Sequence, residues 1–250
     1  MNRKDRRWLF ILGLGLVVVS AALYGLHYAL FRDAHHIFLY LVGDIAFLPL
    51  EVLLVGLIIE RIISMREKRA LAHKLNMVIG AFFSELGMPL LAELLPAMGA
   101  RSEIRRELLL QASWKKEDFS RASRFARDLT CGVDLSTVDL PTLRSHLVGQ
   151  RQFILRLLEN PNLMEHDRFT DLLWAVLHLE EELEARTSLQ ELRPADEAHL
   201  AVDVRRAFTQ LLAEWVLYAG HLKEDYPYLF SLVLRIQPFQ ENPSAEVVAS

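Results

Sequence analysis

Cysteine occurs once in these 250 residues, at Cys131, so no internal disulfide can form. That agrees with a reducing compartment for the part that carries it. Catalytic signatures are also missing. There is no G-x-S-x-G, no Walker loop, no dinucleotide glycine fingerprint and no H-E-x-x-H, which removes the commonest hydrolase, phosphate-loop, Rossmann and zincin sites. No segment of useful length alternates apolar and polar residues as a strand would, and there is no repeat or low-complexity linker. Positive charge is scarce: the formal net charge is −4 and no basic run follows Arg69. Nucleic acid is therefore not an expected partner. Nothing in the pattern requires a cofactor.

Two long runs in the first quarter of the chain have almost no charge. Trp8–Leu30 contains no Asp, Glu, Lys or Arg, and Ile37–Ile59 contains only Asp44 and Glu51. As helices these runs reach about 34 Å, enough to cross a hydrocarbon core of roughly 30 Å. A cleaved signal peptide is the rival reading of the first run, but its apolar character continues past the small residues near Ala22. Arg3, Lys4, Arg6 and Arg7 precede the first run, and Arg61, Arg66, Lys68 and Arg69 follow the second. The connection FRDAHH offers only Arg32 beside Asp33. Basic residues favour the cytoplasmic side, so the pattern predicts a multi-pass protein with both termini cytoplasmic. Arg61, Arg66, Lys68 and Arg69 would meet lipid headgroups.

The expected architecture is all-α. A basic N-terminus (1–7) leads into transmembrane helices 8–30 and 37–59 around the loop 31–36. An amphipathic helical stalk (60–98) follows, because apolar residues recur at Leu71, Leu75, Val78, Phe82 and Leu86. A cytoplasmic bundle (99–238) and a loose tail (239–250) complete the chain. Within the bundle, caps and breakers predict helices near 103–114, 115–130, 139–159, 168–186, 194–224 and 228–236, with Ser102, Asp139 and Asp167 as N-caps.

Carboxylates inside hydrocarbon are costly, roughly 2.5–3.5 kcal/mol each on insertion scales. In a tightly packed antiparallel hairpin, Asp44 would lie level with Tyr24 and His27, whereas Glu51 would face only apolar residues. Glu51 then needs a proton, water or a group from another copy. Ala21, Gly25 and Ala29 form a small-residue ridge suited to close helix packing. Three uses of Asp44 and Glu51 stay open: assembly, an ion or proton path, or a solvated pair.

In the remainder, three histidines have acidic neighbours one turn away: His178 with Glu181 and Glu182, His199 with Asp196 and Asp203, and His221 with Glu224 and Asp225. Carboxylate–histidine pairs on facing helices can build metal sites, so His178, Glu181, Glu182, His199, Asp203 and His221 are candidate ligands. The order differs from the di-iron motif, and a solvated or ion-paired face is the simpler expectation for the stripe His199, Asp203, Arg206, Gln210 and Glu214. Cys131 lacks an identifiable base. Trp174, Trp215, Tyr226, Tyr228 and Phe230 are expected in the core rather than in a pocket.

Three segments, KLNMVIGAFFSELG, LLENPNLMEHDRFTDLLWAVLHLEEEL and HLKEDYPYLFSLVLRIQPF, resemble an uncharacterised family of bacterial two-span membrane proteins with a helical cytoplasmic domain. The resemblance implies an inner-membrane setting and supplies no catalytic residue. Taken together, the expectation is a non-enzymatic, membrane-anchored homo-oligomer whose bundle senses something or binds a cytoplasmic protein. The alternatives are an ion or proton conduit through Asp44 and Glu51, and a metal-dependent bundle enzyme.

Overall fold

The computed structural model describes residues 3–161, 163 and 166–246. Their regular structure is helical: α1 (Arg3–Phe31), α2 (Ala34–Phe82), α3 (Met88–Leu94), α4 (Arg101–Leu108), α5 (Lys116–Asp128), α6 (Leu140–Leu158), α7 (Asp167–Glu184), α8 (Pro194–Asp225) and α9 (Pro227–Ile236). The only β-type pairing among them is one bridge between Met98 and Val133. The all-α expectation holds. The chain forms two compact units, Met1–Lys68 and Arg69–Ser250.

The first unit contains α1 and the leading part of α2. Arg32 turns the chain with a left-handed φ of 49°, and the Asp33 carboxylate accepts from the His36 amide at 3.1 Å to cap α2. Beside this loop the His27 and His36 rings lie 6.0 Å apart. The close antiparallel packing expected of this hairpin is absent. Ala21 and Ala29 are exposed, and a Cβ added to Gly25 would meet nothing within 4 Å. The physical reason is that both runs are apolar all round, so neither presents a preferred face to the other. Nearly every large apolar side chain from Phe10 to Ile63 is exposed. The stretches Phe10–Phe31 and Ala34–Arg66 are each long and apolar enough to cross a membrane, and no part of either is buried within the protein.

The second unit is a bundle closed around α8. This helix packs most extensively against α5 and α7, and also meets α3 and α9. Leu200, Val204, Phe208, Leu211, Leu212, Trp215, Val216 and Ala219 are all buried. Starts and stops follow local chemistry. Asp139 accepts from the Thr142 amide at 3.1 Å, Asp118 accepts from the Lys115 amide at 2.7 Å, and Pro194 and Pro227 open α8 and α9. Two expected caps shift: α4 begins at Arg101 after Ala100, and His166 rather than Asp167 caps α7, its Nδ1 accepting from the Phe169 amide at 3.2 Å.

The expected stalk, 60–98, is corrected. From Leu75 onward it belongs to the bundle core: Leu75, Ile79, Phe82, Phe83, Leu86, Leu90, Leu91 and Leu94 are buried. Phe82 meets Phe169 edge-on at 5.2 Å, and Phe83 stacks on Tyr218 at 5.5 Å. The apolar stripe that suggested a free-standing helix is covered by α7 and α8. Lys74–Ala97 is therefore long and apolar enough to span a membrane, yet half of it is buried inside the protein. A π turn, Phe83–Gly87, interrupts it before α3. Pro89 has no N–H for the preceding turn, and Gly87 is required because a Cβ there would lie 2.5 Å from the Phe83 ring.

The chain after α9 is pinned by Gln237, which is fully buried. Its Oε1 accepts from the Leu110 amide at 2.8 Å, and its Nε2 donates to the carbonyls of Leu110 at 3.2 Å and Leu234 at 3.0 Å. Gln237→Leu is expected to lower the unfolding free energy by roughly 1–3 kcal/mol per stranded backbone group, read by denaturant titration of the full chain, with native helix content unchanged by circular dichroism.

Candidate functional site

Two of the three acid-flanked histidines converge. On α7, His178 and Glu182 stand one turn apart, and on α8 His199 and Asp203 do the same. The helices run antiparallel through the loop 185–193, so His178 falls opposite Asp203 and Glu182 opposite His199. The Nε2 of His178 lies 3.8 Å from Glu182 and 3.6 Å from Asp203. The Nε2 of His199 lies 3.6 Å from Glu182 and 3.4 Å from Asp203. Both imidazoles are reachable from solvent, at 44% and 57% exposure, whereas Asp203 is 2% exposed.

Arginines hold the two carboxylates from outside. Arg206 donates to Asp203 Oδ1 at 2.8 Å. Arg186 donates to Glu182 Oε2 at 2.7 Å and to Asp196 Oδ1 at 3.0 Å, and also to the Glu182 carbonyl. The Arg186 hydrogen bond holds the Glu182 carboxyl below its ordinary range. Asp203 Oδ2, in contrast, is buried without a hydrogen-bond partner among the described residues.

The other candidates lie elsewhere. Glu181 accepts from Arg151 at 3.2 Å, while the same arginine reaches the fully buried Glu180. His221 pairs with Asp225 at 2.9 Å. The Cys131 thiol faces the sulfur of Met98 at 4.0 Å. Trp215 and Phe230 are core residues, but Trp174 and Tyr228 are exposed, correcting the expectation that all these aromatics pack inside. The α8 stripe is ion-paired rather than uniformly solvated: the exposed His199 and Arg206 face the buried Asp203, and Glu214 is buried as well, because neighbouring helices surround α8 on most sides.

In the first unit, neither Asp44 nor Glu51 makes a hydrogen bond or ion pair among the described residues. The expected pairing of Asp44 with Tyr24 and His27 is absent; His27 instead packs on Phe31 with ring centroids 4.9 Å apart. The diverging helices remove the level register on which that pairing depended. Arg61 and Arg66 are exposed, and the side chains of Lys68 and Arg69 lie outside the described residues.

The N-terminal helical domain of MJ1433 matches residues 3–63, and its C-terminal helical domain matches residues 71–235. The chain belongs to the MJ1433 family. It is 40% identical over 238 residues to the "Uncharacterized protein MJ1433" of Methanocaldococcus jannaschii, covering 95% of this chain and 96% of that protein. This relative is archaeal, whereas the family that three segments of the sequence resemble is bacterial. No solved structure matches. The two MJ1433 domains meet the chain on either side of the division at Lys68, and the His178–Asp203 cluster lies wholly in the second.

That domain also contains an open cavity of about 290 Å³ lined by Asn76, Ile79, His166, Arg168, Glu214 and Tyr218 among others. Long-range folding alone brings these residues together, so no local pattern announces them. Burial pushes the Glu214 carboxyl above the ordinary glutamate range, against the opposing pull of His166, Arg168 and Arg127. With its folded pKa raised, Glu214 favours the folded state at low pH. That contribution is lost as the pH rises from about 4.5 through the folded value, because the unfolded chain gives up its proton first. Glu214→Gln is expected to remove this loss, so its melting temperature should gain on the unsubstituted protein as the pH is raised from acid to neutral. A constant offset across that series would refute the assignment.

Proposed function

We propose that this MJ1433-family chain is a membrane-anchored, non-enzymatic protein whose second unit is a cytoplasmic interaction or sensing module. The observation that carries the reading is the exposed apolar surface of the first unit. Leaving a Leu, Ile or Phe side chain in water forgoes roughly 1.5–3 kcal/mol relative to burying it, and almost every such residue from Phe10 to Ile63 is exposed. A bilayer covers such a surface without demanding helix-to-helix burial. Arg7 before the first span and Arg61 and Arg66 after the second support cytoplasmic termini. A bacterial inner membrane is the setting that the sequence resemblance favours.

The unpaired Asp44 and Glu51 and the unpacked Ala21, Gly25 and Ala29 support association with further copies of the chain, since polar groups and small residues hold spanning helices together. The same carboxylates would serve an ion or proton path, but association accounts for the small residues as well.

Topology can be read with single cysteines in a Cys131→Ser background. A membrane-impermeant maleimide should label Asp33→Cys in intact cells and Ser113→Cys only after permeabilisation; labelling of both from the same side overturns the orientation. In detergent, light scattering should report an oligomer that Glu51→Leu shifts toward the monomer. A strict monomer, unaffected by that substitution, removes the assembly part of the proposal.

A further inference from the structure

We propose that His178, Glu182, His199 and Asp203 bind one divalent transition-metal ion of the zinc class. This goes beyond the anchoring reading and does not depend on it.

The distances point to a shared ion rather than to direct hydrogen bonds. Elsewhere in this domain a histidine beside a carboxylate closes to hydrogen-bond length: His221 lies 2.9 Å from Asp225, and His146 lies 3.0 Å from Glu93. In the cluster, the same residue types stand 3.4, 3.6, 3.6 and 3.8 Å apart. Those separations exceed ordinary N–H···O contacts. They match what a tetrahedral ion imposes, since bonds of about 2.1 Å place its ligand atoms roughly 3.4 Å from one another. His178 keeps this spacing to Glu182 Oε1 and Asp203 Oδ1, and His199 keeps it to Glu182 Oε2 and Asp203 Oδ2, so each imidazole meets one oxygen of each carboxylate. Ligand atoms of His178, Glu182 and Asp203 all lie within 4.8 Å of one another.

Asp203 supplies an independent reason. A buried carboxylate oxygen with no hydrogen bond is costly, and Oδ2 of this 2%-exposed residue is one. It faces His199 at 3.4 Å, on the side where an ion would lie. Its other oxygen is held by Arg206 at 2.8 Å. Arg186 orients Glu182 in the same way, as outer hydrogen bonds commonly do for metal ligands. Both guanidiniums also add positive charge beside the site, so affinity in the micromolar range is expected rather than that of a closed structural zinc site.

The donor set selects the metal class. Two imidazole nitrogens with two carboxylate oxygens suit zinc and its neighbours in the first transition row. Without a thiolate the site disfavours copper(I), and without an all-oxygen shell it disfavours magnesium and calcium. The half-exposed imidazoles leave the site open to exchange with solution. That openness fits a sensing module better than a folding staple.

The test uses the full chain, purified in detergent and stripped with a chelator. Calorimetric titration with zinc chloride should give one ion per chain and a raised melting temperature. Cobalt(II) should produce the intense visible bands of a four-coordinate ion and quench the fluorescence of Trp174, one turn from His178. His178→Ala and His199→Ala, at exposed positions that leave the core intact, should each weaken zinc binding at least tenfold, and Asp203→Asn should do the same. His221→Ala, which removes an equally spaced but hydrogen-bonded pair, should leave binding unchanged. The proposal is overturned by no zinc uptake at high micromolar metal, by uptake that survives the His178→Ala/His199→Ala double substitution, or by equal loss in His221→Ala.

Discussion

Burial of α8 is the constraint on which the second unit depends. The middle of this helix, Leu211–Val216, is buried at every position and so must be enclosed on all sides. The 32 residues of α8 meet α5, α7, α3 and α9 in succession, and the enclosed side chains include Phe208 and Trp215. Enclosure also fixes the polar chemistry. The stripe that would face water on an ordinary amphipathic helix is here partly covered, so Asp203 and Glu214 are buried despite their charge. Asp203 ends among two imidazoles and an arginine, and Glu214 ends on a cavity, because α7 and the far end of α2 close over those positions.

The first unit obeys the opposite logic. Its helices have no polar face to turn outward and no mutual face to turn inward. The result is two long apolar helices joined by a tight turn, where a Cβ added at Gly25 would meet nothing within 4 Å. On the proposed reading, lipid together with further copies of the chain would cover that surface. The carboxylates Asp44 and Glu51 belong to the same problem, since neither has a hydrogen bond or ion pair among the described residues.

Much of the second unit was legible in the sequence. Asp139, Pro194 and Pro227 announced where helices begin, since capping oxygens and proline act within one turn. One reading failed for a plain reason. The periodic stripe Leu75, Phe82, Leu86 looked like a stalk, yet it lies in the bundle core. Periodicity reports that a face exists and leaves open what covers it. Gln237 binding the backbone at Leu110, or His146 meeting Glu93, leaves no local trace at all, because the partners are far apart along the chain.

The sequence by itself determined the all-helical class, the apolar character of Trp8–Leu30 and Ile37–Ile59, the starts of α6 and α8 and the one-turn spacing of each histidine with its acid. All of these are set by interactions within a few residues. Only the tertiary structure decided that the presumed stalk is core, that the two apolar helices separate, and that His178 and His199 share two carboxylates while His221 stands apart. Those outcomes depend on which helix faces pair across the bundle, and that pairing is a property of the whole packed core rather than of any one segment.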